Sequence, residues 1–126
     1  MKNQCFGDIN DYRKYGLLRI LTGRGEIKTA VCWMLAPVDG RRDGSRIRHL
    51  SEPEEWCDFD PELFPHLKAV VQHRGVRDIW EIENSDPLPS CAFLSDSVPD
   101  DKERRSAYFE RLMDLVVATV CRLGCG

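Results

Sequence analysis

The sequence predicts a small α/β domain, in which a partly parallel sheet of two to four strands packs against three main helices. Three observations predict it. Residues 8–21 have an amphipathic helical pattern, residues 28–35 form a nearly continuous apolar run, and Asp60-Pro61-Glu62 opens a second amphipathic segment. Helix, strand and helix in this order are typical of α/β domains. With 126 residues, the chain is the usual size of one domain, so we expect residues 1–126 to form a single unit.

The first helix is predicted over residues 8–21. Asp8, Asn10 or Asp11 can accept hydrogen bonds from the free backbone N–H groups at its start. Its apolar stripe consists of Tyr12, Tyr15, Leu17, Leu18, Ile20 and Leu21. Gly16 lies inside the helix, where glycine is unfavourable, and such a glycine predicts close packing against another backbone.

The first strand is predicted over residues 28–35. Its apolar run does not alternate with polar residues, which favours a strand covered on both faces. The Asp- and Gly-rich segment 38–45 is expected to be a loop. Residues 47–50 are interpreted as a short edge strand and residues 54–56 as one helical turn.

The second half of the chain repeats the pattern. Asp60 is placed to cap a helix with Pro61 at its first position, and Gly75 is placed to end it. We expect a second strand over 76–83, a brief strand over 92–94 and a last helix over 99–123. Glu81 and Glu83 would then share one face of the second strand, but no lysine at strand spacing completes a nuclease pattern.

Composition favours a globular protein of the cytoplasm. Hydrophobic residues make up 42% and charged residues 31% of the chain. The N-terminus has no apolar core of a secretory signal, and no run approaches the roughly 18 apolar residues that a bilayer requires. We therefore predict no membrane partner. The six cysteines are expected to be free thiols, and the only close pair is Cys121 and Cys125.

The charge is distributed unevenly along the chain. Residues 1–50 contain ten Lys and Arg against five Asp and Glu, whereas residues 51–126 contain eight against sixteen. The basic N-terminal half can attract nucleic acid. Alternatively, the acidic half neutralises it within one fold, and the sequence leaves both interpretations open.

The densest local motif is Phe6-Gly7-Asp8-Ile9-Asn10-Asp11-Tyr12-Arg13-Lys14-Tyr15-Gly16-Leu17-Leu18-Arg19. It resembles the opening of an uncharacterised bacterial protein family that begins Phe-Gly-Asp-x-x-Asp-Tyr-x-Lys-Tyr-Gly-Leu-Leu-Arg. The resemblance extends to about Leu115. It includes Cys32-Trp33-Met34-Leu35 with Pro37 and Asp39-Gly40, Phe59-Asp60-Pro61-Glu62-Leu63-Phe64, and Ile82-Glu83 followed by Leu88-Pro89.

The resemblance implies a longer relative and no particular reaction. Members of the family continue after the last helix into a strand that ends in an Asp-Pro-Asp-Asn-Gly-like turn. Residues 117–126 do not match that strand, so the resemblance implies a C-terminally truncated member. A sheet that lacks a strand would expose an edge through which copies of the chain can associate.

Two groups of residues are candidates for binding. Arg13, Lys14 and Arg19 on the first helix are candidate anion-binding residues, or else the solvated face of that helix. Asp39 and Asp43 follow the first strand, at the end where open α/β sheets bind ligands, and two carboxylates there suit Mg²⁺. The same Asp-Gly pairs also make turns without a ligand, so no metal ligand is assigned.

Two functions remain open. The first is a non-catalytic remnant or small interaction protein, because no complete catalytic set is present. The second is a nucleotide- or nucleic-acid-acting enzyme, either a metal-dependent nuclease or a methyltransferase-like protein. Its candidate residues are Asp8, Asp11, Lys14, Asp39 and Asp43, with Lys14 on a phosphate and the last two on a metal or a cofactor hydroxyl. The sequence itself requires no cofactor.

Overall fold

The computed structural model of the chain describes residues 1–121. The predicted end of the last helix at Leu123 and the predicted Cys125 thiol lie outside the described residues. Helices and strands follow in the order α1 (Ile9–Leu21), β1 (Thr29–Cys32), α2 (Pro53–Trp56), α3 (Leu63–Lys68), α4 (Trp80–Glu83), β2 (Cys91–Leu94) and α5 (Lys102–Cys121). The α/β class, the first helix and the helical turn at α2 are confirmed.

Helix α1 begins where its first carboxylate caps it. The Asp8 side chain accepts hydrogen bonds from the backbone N–H groups of Asn10 and Asp11, each at 2.9 Å. Tyr12 and Tyr15 are buried on the inner face of the helix. The opposite face is exposed to solvent and includes Arg13, Leu17 and Ile20.

The sheet is parallel and has two strands. β1 pairs with β2 in the register that places Thr29 beside Cys91 and Cys32 beside Leu94. Val31 joins the main core on one face, whereas the Cys32 thiol lies 3.1 Å from the Tyr108 hydroxyl of α5 on the other. The prediction that the first strand is covered on both faces is therefore confirmed, and so is the brief strand near 92–94.

The predicted second strand over 76–83 is wrong, because half of that segment, Trp80–Glu83, forms α4 and the structure has no strand in the other half. The Asp78 carboxylate accepts a hydrogen bond from the Trp80 N–H at 3.0 Å and so starts the helical turn. Ile79 and Ile82 are both buried, and their spacing of three suits a helix rather than a strand. Glu81 and Glu83 therefore do not share one face of a strand. Glu81 forms an ion pair with Arg74, which follows the helical turn Ala69–His73 at the end of α3.

The predicted edge strand over 47–50 is also wrong. Residues Arg48–Ser51 form a 3-10 turn, in which the Leu50 N–H bonds to the Ile47 carbonyl at 3.0 Å. His49 and Leu50 are both buried, although consecutive side chains of an edge strand with one solvent-facing side would alternate between core and solvent.

The helix predicted from Asp60 begins three residues later, at Leu63, but Asp60 still caps it. The Asp60 carboxylate accepts from the Leu63 N–H at 3.1 Å. The core lies between α1, the sheet and α3, and its largest fully buried members are Phe6, Tyr15, Leu50, Leu63, Phe64, Leu67 and Ile82, whereas the fully buried Tyr108 lies on the other face of the sheet, under α5. Within residues 1–121, no helix is both long and apolar enough to cross a membrane.

Candidate functional site

Asp8 and Asp11, two of the candidate catalytic residues, are engaged in holding α1. Asp8 caps the helix, as described above. One oxygen of the buried Asp11 carboxylate accepts from the Gly7 N–H at 3.2 Å and from the Tyr15 hydroxyl at 2.9 Å. Its other oxygen lies 2.6 Å from the Lys14 ammonium. Burial raises the pKa of Asp11, and Lys14 partly offsets that effect. Lys14, the candidate phosphate ligand, thus has an internal partner.

Asp39 and Asp43, the candidate metal ligands, lie close together, but both carboxylates contact the ammonium group of Lys2. The Lys2 ammonium is 2.6 Å from the Asp39 carboxylate and 3.4 Å from that of Asp43. The hydrogen bond from Lys2 holds the pKa of Asp39 below its usual value. Lys2 therefore makes the contacts that a cation would make. In the described part of the chain, no three His, Cys, Asp or Glu side chains are grouped so that they could hold a metal ion.

Arg19, a candidate anion-binding residue, is buried and already neutralised. Its guanidinium contacts the carboxylates of Asp60 at 2.7 Å and Glu62 at 2.5 Å, and it donates to the Pro87 carbonyl at 2.5 Å. It joins α1 to the start of α3 and to the loop before β2. The structure therefore places it in a bridge between elements of the fold rather than at the surface.

The five candidate catalytic residues do not come together in one cleft. A polar cleft of about 470 Å³ is lined by Asp8 and Asp43, but neither Lys14 nor Asp39 lines it. Arg42 and Arg46 line the same cleft. The sequence did not single out these two arginines, because their significance depends on which carboxylates the fold leaves for them.

Arg13, Arg42 and Arg46 form what we call the arginine face. Arg46 lines a second cleft of about 420 Å³ together with Ile9, and Arg13 follows Ile9 by one turn of α1. Other basic residues nearby, such as Lys2 and Lys14, are held by carboxylates. Within residues 1–121, no carboxylate forms an ion pair with any of the three arginines of the face.

An apolar groove of about 500 Å³ adjoins the arginine face at Arg13, and it is lined by Tyr12, Arg13, Gly16, Leu17, Ile20, Trp56, Phe59 and Asp60. Ile20 and Phe59 are each 75% exposed, although aliphatic and aromatic side chains usually pack inside. Gly16 of α1 lines the same groove. A Cβ atom at Gly16 would meet no described atom within 4 Å apart from its own helix backbone, so the predicted close packing of this glycine against another backbone is wrong.

Gly16→Ala is expected to raise the free energy of unfolding by up to about 1 kcal/mol, because alanine favours the helix and meets no clash. Urea unfolding monitored by circular dichroism measures the change. A decrease in stability would show that the groove is filled by neighbouring side chains in solution.

His49 is buried beside the arginine face without a hydrogen-bond partner. Its ring stacks on Tyr12, with the centroids 5.5 Å apart, and it meets Trp56 edge-on. Neither ring nitrogen has a partner at normal hydrogen-bond distance within the described residues, although the ring lies near the Arg46 backbone. Burial lowers the pKa of His49 by more than the Arg46 backbone raises it, so the ring is neutral in the folded protein at pH 7.

The buried His49 predicts a loss of stability on mild acidification. The unfolded chain takes up a proton near the ordinary histidine pKa of about 6.5, whereas the folded chain takes it up only at lower pH, so acid favours unfolding. The slope for this one residue is at most about 1.4 kcal/mol per pH unit. Urea unfolding at a series of pH values from 7 to 5 measures it.

His49→Phe keeps the ring stack and removes the titration, so its stability should fall less steeply with decreasing pH. His66, whose pKa burial also lowers, supplies the slope that remains. The raised pKa of Asp11 acts in the opposite direction, but it is common to both proteins and cancels in the comparison. Equal slopes for His49→Phe and the wild type would contradict a neutral, buried His49.

A Ser–His contact lies in a third cleft, of about 510 Å³, on the other side of Arg19. The Ser85 hydroxyl is 3.3 Å from His66 Nε2, but it donates to the Glu81 carbonyl at 2.6 Å. A serine that bonds back four residues at a helix end is a common structural feature. We therefore interpret this pair as part of the end of α4. The sequence gives no sign of it, because the two residues are distant along the chain.

Comparison of the chain with protein-family models, curated proteins and solved structures finds no match. The resemblance of residues 6–19 to an uncharacterised bacterial family therefore stays a prediction. The function proposed below is based on the apolar groove and the arginine face.

Proposed function

We propose that this chain is a non-catalytic interaction protein that binds a segment of a partner protein in the apolar groove and against the arginine face. The partner segment carries apolar side chains for the groove and acidic side chains for Arg13 and its neighbours. The groove is too open to be part of the protein's own core, and a peptide of this composition would cover both surfaces at once.

The observation that carries the proposal is the continuity of the two surfaces at Arg13. Large exposed apolar side chains that form one patch are typical of protein interaction sites. Arginine is enriched in such sites, and here Arg13 is available because the fold provides no carboxylate for it within residues 1–121. Gly16 adds independent support, because the fold itself does not require a glycine at this position of the helix.

The state of the candidate catalytic carboxylates supports a non-catalytic role. Asp8 and Asp11 hold α1, and Asp39 and Asp43 hold Lys2. A catalytic set needs groups that are within reach of one reacting atom. Instead, two of these carboxylates stabilise the start of α1, and the other two form ion pairs with Lys2.

The cysteines favour a reducing compartment, and we place the proposed function in the cytoplasm. Cys5, Cys32, Cys57, Cys91 and Cys121 are free thiols. Free thiols persist where the cell keeps them reduced.

Selection from a display library of random 15-residue peptides tests the proposal. We expect the enriched peptides to combine acidic and apolar residues and to lose binding to Ile20→Glu and to Arg13→Glu by about tenfold or more. Chemical-shift changes in labelled protein should then map to α1 and to the residues around Trp56.

Lys68→Glu is the matched control, because it makes the same change of charge on α3, away from the groove. Peptides that bind Lys68→Glu as well as the wild type support the proposal. Peptides that bind all four proteins equally, or a selection that enriches nothing, would contradict it.

Nucleic-acid binding is the second candidate, and the arginine face is the observation that favours it. Three arginines without an ion pair in the described residues can contact phosphates. The strongly exposed side chains of the groove beside them are two aliphatic ones, Leu17 and Ile20, and one aromatic one, Phe59, so it offers little to a phosphate backbone. The binding constant K for a labelled 20-nucleotide single strand, measured at several salt concentrations, tests this alternative. If it were correct, replacing all three arginines by alanine would reduce the dependence of log K on log salt by about two.

A further inference from the structure

Helix α5 carries two apolar seams, of which only one is used by the fold. The inner seam, Tyr108, Leu112, Leu115 and Thr119, contains the residues of α5 that are buried or half-buried, and the Tyr108 hydroxyl meets Cys32 of β1. The outer seam is exposed to solvent and consists of Phe109, Met113, Val116, Val117 and Val120. Met113 and Val120 are 59% and 58% exposed.

The outer seam has the spacing of a coiled-coil contact. Phe109, Met113, Val116 and Val120 are separated by four, three and four residues, which corresponds to heptad positions d, a, d and a. The seam is about 17 Å long, since each helical residue rises 1.5 Å.

The charges beside the seam match only when two copies run parallel. In this heptad frame Arg105 is at position g and Glu110 is at the following position e. In a parallel dimer, g and the next e of the partner helix face each other, so two symmetric Arg105–Glu110 pairs form across the contact. In an antiparallel dimer that joins the same seam residues, e faces e, so Glu110 meets Val117 and forms no ion pair.

Both residues are available for that pairing. Among the described residues, the Arg105 guanidinium hydrogen-bonds only to the backbone carbonyls of Pro99 and Asp100, at 2.9 and 3.2 Å. Within the described residues, no ion pair involves Glu110. The two seams lie about 100° apart around the helix axis, because Tyr108 and Phe109 are adjacent residues. A two-fold axis along the outer seam therefore leaves the bodies of the two copies on opposite sides.

We propose that the outer seam of α5 is a dimer interface, in which a second copy of this chain docks its own α5 in parallel. Arg105 of each copy pairs with Glu110 of the other. This interface differs from the apolar groove and the arginine face, so it neither requires nor excludes the function proposed above. A seam of three turns predicts a modest affinity, with a dissociation constant on the order of micromolar.

Sedimentation velocity over a concentration series tests the interface. We expect the wild type to change from monomer to dimer as its concentration rises to about 100 μM, and Val116→Glu to weaken the dimer by at least about tenfold. Ala118→Glu is the control, because Ala118 is exposed on α5 at heptad position f, away from the seam. It should dimerise like the wild type.

A charge-swap cycle tests the parallel arrangement. Arg105→Glu and Glu110→Arg should each weaken the dimer by about fivefold, since each removes two ion pairs and creates like charges in their place. The double variant should recover the wild-type dissociation constant to within about twofold. Recovery of this kind also separates the interface from any effect of Arg105→Glu on folding, which thermal unfolding of the same samples measures.

Three results would overturn the proposal. A wild type that stays monomeric at all concentrations would show that another occupant, or none, covers the outer seam. Equal weakening by Ala118→Glu and Val116→Glu would place the contact elsewhere. A double charge-swap variant as weak as its single variants would rule out the parallel pairing.

Discussion

Arg19→Met should lower the free energy of unfolding by about 3 to 5 kcal/mol, because it leaves a partner charge unpaired within the fold. Arg19 is 3% exposed, and Asp60 beside it is 12% exposed. Methionine fills much of the same volume but cannot donate a hydrogen bond. The Asp60 carboxylate also caps α3, so the loss of its arginine partner should destabilise the start of that helix as well. Urea unfolding of the two proteins at pH 7 measures the difference.

Arg111→Met is the control for this prediction. Arg111 contacts Asp96 at 3.1 Å, and the two side chains are 52% and 54% exposed. Water screens an exposed pair, so we expect a loss below about 1 kcal/mol. Similar losses for the two variants would mean that Arg19 is hydrated in solution and that α1 is not fastened to α3 in this way.

The parts of the fold that depend on neighbouring residues could be predicted from the sequence. Asp8 caps α1 and Asp60 caps α3, because a side-chain oxygen two or three residues before a free N–H group is a local arrangement. The apolar run at β1 is also local. Residues 76–83 were misassigned because a short stretch with mixed apolar spacing fits both periods, and the Asp78 cap then favours the helix.

The candidate site could not be predicted in the same way, because its charges are set by partners distant along the chain. Lys2 meets Asp39 and Asp43 only once the N-terminus packs on the loop that follows β1. Arg13 and Arg19 are equally basic in the sequence. The fold buries Arg19 between carboxylates and leaves Arg13 at the surface. Which arginine lacks an ion pair therefore depends on all the ion pairs of the fold, and not on the residues next to it in the sequence.

Arg42 and Arg46 likewise depend on contacts between residues that are distant along the chain. Both lie on the loop that follows β1, and that loop is fixed by its close contact with the N-terminal segment. The Gly44 carbonyl accepts a hydrogen bond from Arg77 at 2.6 Å on the other side. The position of the arginine face thus depends on the backbone around Gly44.

Gly44→Ala is expected to lower the free energy of unfolding by about 3 kcal/mol or more, because it combines backbone strain with a clash. Gly44 has a φ of +80°, and its added Cβ would lie 2.4 Å from both Cys5 Cα and the Gln4 carbonyl oxygen. Those atoms are backbone, so no side-chain rotation relieves the contact. The loop or the N-terminal segment must move instead. Thermal and urea unfolding measure the loss.

Gly40→Ala separates the two contributions within the same loop. Gly40 has a φ of +70°, but nothing lies within 4 Å of its added Cβ, so only the strain of about 1 to 2 kcal/mol remains. Gly44→Ala should also move Arg42 and Arg46, and weaken binding of the selected peptides more than Gly40→Ala does. If Gly44→Ala and Gly40→Ala lost the same stability, the N-terminal segment would not be packed on this loop, and the arginine face would have no fixed geometry.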